Sequence, residues 1–377
     1  MGAARDLKSL LNGAKNVNAL TDHYQAALDR ILRELAAGVS RPGAARATAL
    51  MREIHRQIDD LDPRKASYVR NWIRREIPRA FVLGDRNATQ DLQKQLNAVT
   101  SEKAGEFGSV NRTFNATNQT AMKAVTIAME TKLTDAANQM RTRFGLVIRQ
   151  TQQTLVSEAS LRSQTVGGII RGATGRAIAD DLASLLLGDK VPKQTRDRLR
   201  DVGFRGDMFE EFERVARGEL IQVGKRRLSV RSYADLVART QEREAHKVAT
   251  VVRLQQNGVD HVRISRHRQD KPDECTPFAG KVFYVGPLPQ DPQGFPSLKG
   301  TVNSGPPFHP QCLHTVEPFV VAFKSAAAMT EARESAQALP RRFFGKSASE
   351  VRTLVAELGD KDLKIVAREG FEDLEAA

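Results

Sequence analysis

The residue types that can do chemistry crowd into one stretch of this chain. Cys275 is followed, after a Gly/Pro-rich loop, by Phe308-His309-Pro310-Gln311-Cys312-Leu313-His314, which gathers both cysteines and two of the seven histidines. Two thiols and two imidazoles make four soft donors, the number that tetrahedral zinc takes. His309 and Cys312 are separated by two residues, the spacing of a knuckle that aims both side chains at one point. His314 points the same way as Cys312 where the segment is extended, because side chains alternate along a strand. Cys275, His309, Cys312 and His314 are therefore candidate zinc ligands, and a metal would give a long polar loop a reason to be ordered. Two other readings stay open on the same atoms: a pair of buried free thiols, or a disulfide between Cys275 and Cys312.

A catalytic reading has less behind it. His267, Asp270, Asp273 and Glu274 lie near Cys275 and carry the donor types of a metal-dependent nuclease, but their spacing matches no nuclease motif. His267 sits within Arg266-His267-Arg268, which reads as a solvated or phosphate-facing strand edge. The chain has no P-loop, no GxSxG elbow, no HExxH and no GxGxxG after a strand. No catalytic residue and no reaction is expected.

The elements that must position this cluster are mostly helical. Tyr24, Leu28, Ile31 and Leu35 share one face, with Asp22 and Gln25 as a capping-box pattern and Gly38 as the stop. Leu50, Ile54, Ile58 and Leu61 repeat the pattern, and Asp62-Pro63 predicts the N-cap and first position of a third short helix carrying Tyr68, Trp72, Ile73 and Ile77. From about 113 to 155 the apolar residues Met122, Leu133, Phe144 and Leu155 recur every 11 residues, which predicts one long, nearly straight helix. Its role as a bundle spine or a projecting arm stays open. GGIIRGATG introduces a helix on Ile178, Leu182 and Leu186 that stops at Gly188, residues 220–230 alternate about Val-Gly-Lys as a hairpin, and 232–254 is helical again. Loop and strand follow from Asp260, and a tail helix opens on a Ser347/Glu350 capping box with Val351, Leu354, Val355 and Leu358 as its face and Gly359 as its stop.

The fold expected is mainly α with a small α+β domain. Residues 1–158 form a helical N-terminal region, 159–322 a mixed helix and hairpin domain with the Cys/His loop, and 323–377 a helical tail ending in an acidic stretch.

Composition narrows the class. The 377 residues are 40% hydrophobic and 27% charged, enough apolar material for a real core. Mean hydropathy is −0.43, and the longest apolar runs fall far short of a membrane span. The start, MGAARDLKSLL, has no apolar signal region, and Asp6 stands where a myristoylation signal wants Ser or Thr, so export through a signal peptide is not expected. Two cysteines fit a protein made in a reducing cytosol. With 58 Lys+Arg against 45 Asp+Glu the net charge is +13, which favours a polyanionic neighbour. Aromatics are only 6% and none interleave with basic tracts, so any nucleic-acid contact should go to phosphates without sequence preference.

Four motifs then occur in order: GIIRGATGRAIADDL (168–182), RSYADLVARTQEREA (231–245), GVDHVRISRHRQDKPDECTPFAGKVF (258–283) and GPPFHPQCLHTVEPF (305–319). Together they resemble the phage Mu F-like head morphogenesis family, the minor head or minor capsid proteins, over about residues 160–320. Tyr233, Ala234, Arg239 and Thr240 match the second motif, with Gln241 at the usually acidic place and Glu242 one later. Asp270 or Asp273, Cys275 and Gly280 match the third, and Pro306, Pro307, His309, Pro310, Cys312 and Pro318 the fourth. The chain departs from the family where His314 replaces a second cysteine, a swap that keeps a metal-capable donor. It departs again where the cysteine usual three residues from the first is absent, with Pro272 on one side and Phe278 on the other.

The resemblance implies a virion structural protein. It would associate with the portal inside the capsid, lie in the head interior after assembly in the host cytoplasm, and contact packaged double-stranded DNA through phosphates. Several copies per particle and no membrane partner are expected. The alternative is a nuclease or toxin-like effector packaged in the head and delivered with the DNA. Some family members carry a toxin or enzyme domain after this module, but the roughly 55 residues that follow here are short for one.

Overall fold

The computed structural model describes residues 2–39, 44–164, 175–188, 192–201, 204, 206–266, 273–309, 312–339, 343–347, 350–351 and 353–355. As the sequence predicts, the chain is mainly helical with a small antiparallel sheet. In chain order the elements are α1 (Gly2–Val39), α2 (Ala44–Asp59), α3 (Ser67–Asn97), α4 (Ser101–Phe107), α5 (Ala116–Gln164), α6 (Gly175–Leu186), α7 (Lys193–Asp201), α8 (Gly206–Ala216), the strands β1 (Ile221–Val223) and β2 (Arg226–Leu228), α9 (Val230–Gln256), β3 (His261–Ile264), β4 (Val282–Tyr284), β5 (Val316–Pro318) and α10 (Ala326–Gln337). Among the described residues no helix is long and apolar enough to cross a membrane. Two compact units emerge, one of residues 1–73 and 128–238, the other of 74–127 and 239–377. They interleave along the sequence, whereas the expected domains are consecutive.

In the first unit the predicted faces form the core. Tyr24, Leu28, Ile31 and Leu35 of α1 are buried with Ile54 and Ile58 of α2 and with Leu61. The Tyr24 hydroxyl donates to the Leu61 carbonyl at 2.7 Å, so the polar tip of a buried ring is satisfied. On α5, Leu133, Met140, Phe144 and Val147 are fully buried. Arg141 of that helix bridges Asp59 at 2.5 Å and Asp62 at 3.2 Å. β1 and β2 pair as the expected hairpin, with Ile221 opposite Leu228.

Three expectations about helix ends are corrected. Asp22 and Gln25 do not start a helix, because α1 begins at Gly2 and its buried stripe already includes Val17 and Leu20. Asp22 instead pairs with Arg231 at 3.0 Å. Gly38 lies within the last turn of α1, where a Cβ would collide with the Leu50 side chain, so the glycine serves close packing against α2. Asp62-Pro63 belongs to the turn between α2 and α3. The Asp62 carboxylate accepts from the Arg64 backbone N–H and from Thr134 Oγ1, both at 3.0 Å, and is spent on those contacts and on Arg141. The third helix is also not short: α3 runs 31 residues and passes through Pro78, because Ile77, Phe81, Ala88 and Leu92 keep its buried face in phase. The long helix is longer than predicted, at 49 residues, and is capped by Asn115, whose Oδ1 accepts from the Thr117 N–H at 2.9 Å.

The second unit holds the candidate site. Its sheet has the order β4-β3-β5, all antiparallel, with Val262 facing Phe283 on one side and Pro318 on the other. One face packs Val262 and Ile264 with Phe278, Phe283, Phe308 and Phe343. The other packs Val282, Tyr284, Phe295 and Phe319 with Ala336 of α10. Helices α3 and α9 cross closely here, since a Cβ on Gly84 would collide with the backbone of His246. The fully buried Arg253 of α9 binds both oxygens of Asp85, at 2.8 and 2.9 Å, and the Asn111 carbonyl at 2.8 Å. That clamp fixes the segment leading into α5. The Ser347/Glu350 capping box forms as expected, with the Ser347 N–H donating to Glu350 at 2.9 Å. Val351 and Val355 are buried behind it, and Leu358, Gly359, the acidic end and the GGIIRGAT stretch lie outside the described residues.

Candidate metal centre

Cys275 is held by a tight turn between β3 and β4. The Asp273 carboxylate accepts from the Cys275 backbone N–H at 3.0 Å and from its thiol at 2.7 Å, while the Asp273 N–H donates to Thr276 Oγ1 at 2.9 Å. Cys312 lies on the segment entering β5, where its N–H donates to the His309 carbonyl at 3.0 Å. The turn before it is fixed by Asn303, whose side chain donates to the Pro307 and Phe308 carbonyls, each at 3.1 Å. What brings the two segments together is an aromatic stack: Phe278 and Phe308 lie nearly parallel, their centroids 4.7 Å apart. Each cysteine is three or four residues from one of those rings, so burying the rings places the thiols side by side.

The ligand atoms form two overlapping groups. Cys275, Cys312 and His314 have their donor atoms within 4.8 Å of one another, and so do Asp273, Cys275 and His309. Cys312 Sγ is 3.5 Å from His314 Nδ1, and Cys275 Sγ is 3.4 Å from His309 Nε2. Donors bound 2.0–2.3 Å from a tetrahedral ion stand about 3.3–3.8 Å apart, so these separations suit a metal. Cys275, Cys312 and His314 are buried, and both cysteines are free thiols, not a disulfide. The group of Cys275, Cys312 and His314 can therefore hold a metal ion.

The electrostatics point the same way. A hydrogen bond from Cys275, then His314, holds the Cys312 thiol down at about 4, against the opposing effect of burial. Cys275 moves up, first through its hydrogen bond with Cys312 and then through burial and Asp273. The pair thus favours one thiolate and one thiol, and the thiolate is the form that binds metal. Burial acts to raise Asp273, yet hydrogen bonds from His309 and Cys275 hold its carboxyl well below the usual range. Burial likewise acts to lower His309, but the Asp273 carboxylate 3.1 Å away and the nearby Cys312 raise it above the ordinary imidazole value.

All four sequence candidates therefore lie in this one region, with His309 reaching the group through Cys275. Sequence reading missed the part played by Asp273, which holds Cys275 and His309 together. The available signal was its place two residues before the cysteine and three before Thr276, the pattern of a side-chain-closed turn. Of the residues considered for a nuclease, Glu274 is buried, and His267 and Asp270 lie outside the described residues. No protein-family model, no curated protein and no solved structure matches the chain.

Proposed function

We propose that this chain is a minor head protein of a phage, a structural component that joins the portal during head assembly, lies inside the capsid and touches packaged double-stranded DNA through phosphates. The observation that carries the reading is the meeting of the third and fourth motifs. Cys275 lies against Cys312 and His314, and Phe278 stacks on Phe308. Cys275 of the third motif and Cys312 of the fourth, both residues that carry the family resemblance, are thus packed together in one folded module. The +13 charge agrees with a DNA-filled surrounding.

Within this reading the ion is zinc, held by Cys275, Cys312 and His314 with His309 as the fourth donor in place of its contact with Asp273. Thiolate and imidazole donors select zinc over hard cations such as magnesium or calcium. The ion would supply a fastening between two loops, and the protein's own residues do the rest: Asp273 positions Cys275, and the Phe278–Phe308 stack joins the two segments that carry the donors. No reaction is assigned to the site.

The decisive experiment is a mass-spectrometric inventory of purified particles. The protein should be present at a few copies per portal and absent from particles lacking the portal. Its absence from particles, or metal-dependent cleavage of plasmid DNA by the purified chain, would overturn the reading.

A further inference from the structure

The second face of the β4-β3-β5 sheet carries cations that the metal centre does not use. Arg263 lies on the middle strand, opposite Val282 of β4 and Glu317 of β5. Its guanidinium carbon stands 5.2 Å from the centre of the Phe319 ring, and Lys324 Nζ stands 5.6 Å from the same centre. Two like charges therefore share one buried ring, Phe319, which is itself braced edge-on by Phe295 at 6.0 Å. Both cations are half-buried, so an incoming anion can reach them while water screens them less than at an open surface. Arg263 Nε is buried and has no hydrogen-bond partner among the described residues.

The charge around this ring is unbalanced. Arg266 adds a third cation near Arg263, against the carboxylates of Glu317 and of Glu331 on α10. Burial, then Arg266, hold Arg263 below the ordinary arginine value, and burial, then Arg263, do the same to Lys324. Burial and the neighbouring cation both work against the charged form of each, Glu317 and Glu331 offset part of this at Arg263, and a bound anion would relieve the rest. A guanidinium's planar fork of N–H groups matches the oxygens of a phosphate better than a point charge would.

We propose that Arg263 and Lys324, seated on Phe319, form a binding site for a backbone phosphate of double-stranded DNA. The proposal rests on the reading that this chain contacts packaged DNA, and it names where.

The test compares two double variants of the full chain that remove equal charge. Arg263→Gln with Lys324→Gln alters the site, and Arg52→Gln with Lys123→Gln alters exposed positions elsewhere. Affinity for a duplex of mixed sequence is measured by fluorescence anisotropy across a salt series. The site variant should lose about tenfold in affinity near 100 mM salt, and its slope of log K against log salt should fall by about 1, since each phosphate contact contributes about 0.9. The exposed-site variant should lose less than about threefold, and Arg263→Lys, which keeps the charge but not the fork, should fall between. Thermal melts establish that each variant is folded. Equal losses in both double variants, or none in the site variant, would overturn the site while leaving DNA contact intact. A wild-type chain that binds no DNA at any salt would overturn both. Inorganic phosphate at fixed ionic strength that raises the melting temperature of the wild type but not of the site variant, with DNA affinity unchanged between them, would reassign the site to free phosphate and overturn the proposal.

Discussion

At the scale of single residues, the metal centre and a half-buried carboxyl give the sharpest tests. Protein purified without added metal should contain about one equivalent of zinc by elemental analysis, and Cys312→Ala should reduce this below about a tenth, because structural sites bind tightly enough to survive purification. Wild-type protein that is metal-free, with both thiols titrating freely, would instead favour the buried-thiol reading. Glu242 offers a pH test away from the metal. Burial first, then the charge of Glu76, push its carboxyl up to about 8, against Arg239, Arg243 and Arg79, which pull it down. The folded value lies above the ordinary 4.5, so the folded state gains from this group fully below about pH 4.5 and loses that gain as pH rises through about 8. Glu242→Gln should therefore melt close to the wild type at pH 5 and higher than it at pH 8.5, by the equivalent of roughly 1–3 kcal/mol. An unchanged difference between the two pH values would show that Glu242 titrates like a solvated carboxyl.

At the scale of elements, the long helix is the clearest test of what periodicity can predict. The 11-residue spacing places Leu133 in a buried seam, and Leu133 is 0% exposed, whereas Thr131 two residues earlier faces solvent. Leu133→Asp should cost about 3–5 kcal/mol, since it buries an unpaired charge and removes packing, while Thr131→Asp should shift the melting temperature by no more than about a degree or two. Equal melting temperatures would contradict the seam. Helix existence and face were legible at α1, α2 and α5, because a stripe that must be buried repeats with the helix period, and the existence of α9 was legible without its face. Helix ends were not. Asp22 and Gln25 carry capping chemistry in the middle of α1, and Asp62 carries it in a turn, because a carboxylate can spend its lone pairs on Arg231 or on Arg141 and Thr134 as readily as on a helix terminus.

At the scale of the whole molecule, the proposed role sets expectations that a catalytic role would reverse. A phage lacking the gene should give fewer or less infectious heads. His267→Ala and Asp270→Ala should leave infectivity close to normal, because the proposed role gives those side chains no reaction. Point variants that mimic the deletion would instead place chemistry there. DNA binding should be weak, indifferent to sequence and steeply salt-dependent, and affinity for the portal should survive salt better, since it depends on shape. Binding that discriminates strongly between duplex sequences would contradict a phosphate-only contact.

The sequence by itself determined the helical class, the long helix, the hairpin about Gly224, the tail capping box and the identity of the four metal-capable residues. Each rests on a local rule: a period, a turn residue, or a donor type at short spacing. Tertiary structure alone decided which donors meet. Cys275 and Cys312 are brought together across the long loop between them by the stacking of Phe278 on Phe308, a contact between distant segments that no local pattern encodes. The same holds for Asp273, whose hold on both Cys275 and His309 exists only once the two loops are packed. It holds too for the pairing of Arg263 with Lys324 on one ring, where β3 and the segment after β5 supply one cation each. Local periodicity fixes which face of an element is buried, but the partner it is buried against is chosen by the packing of the whole unit, and chemistry between side chains depends on that choice.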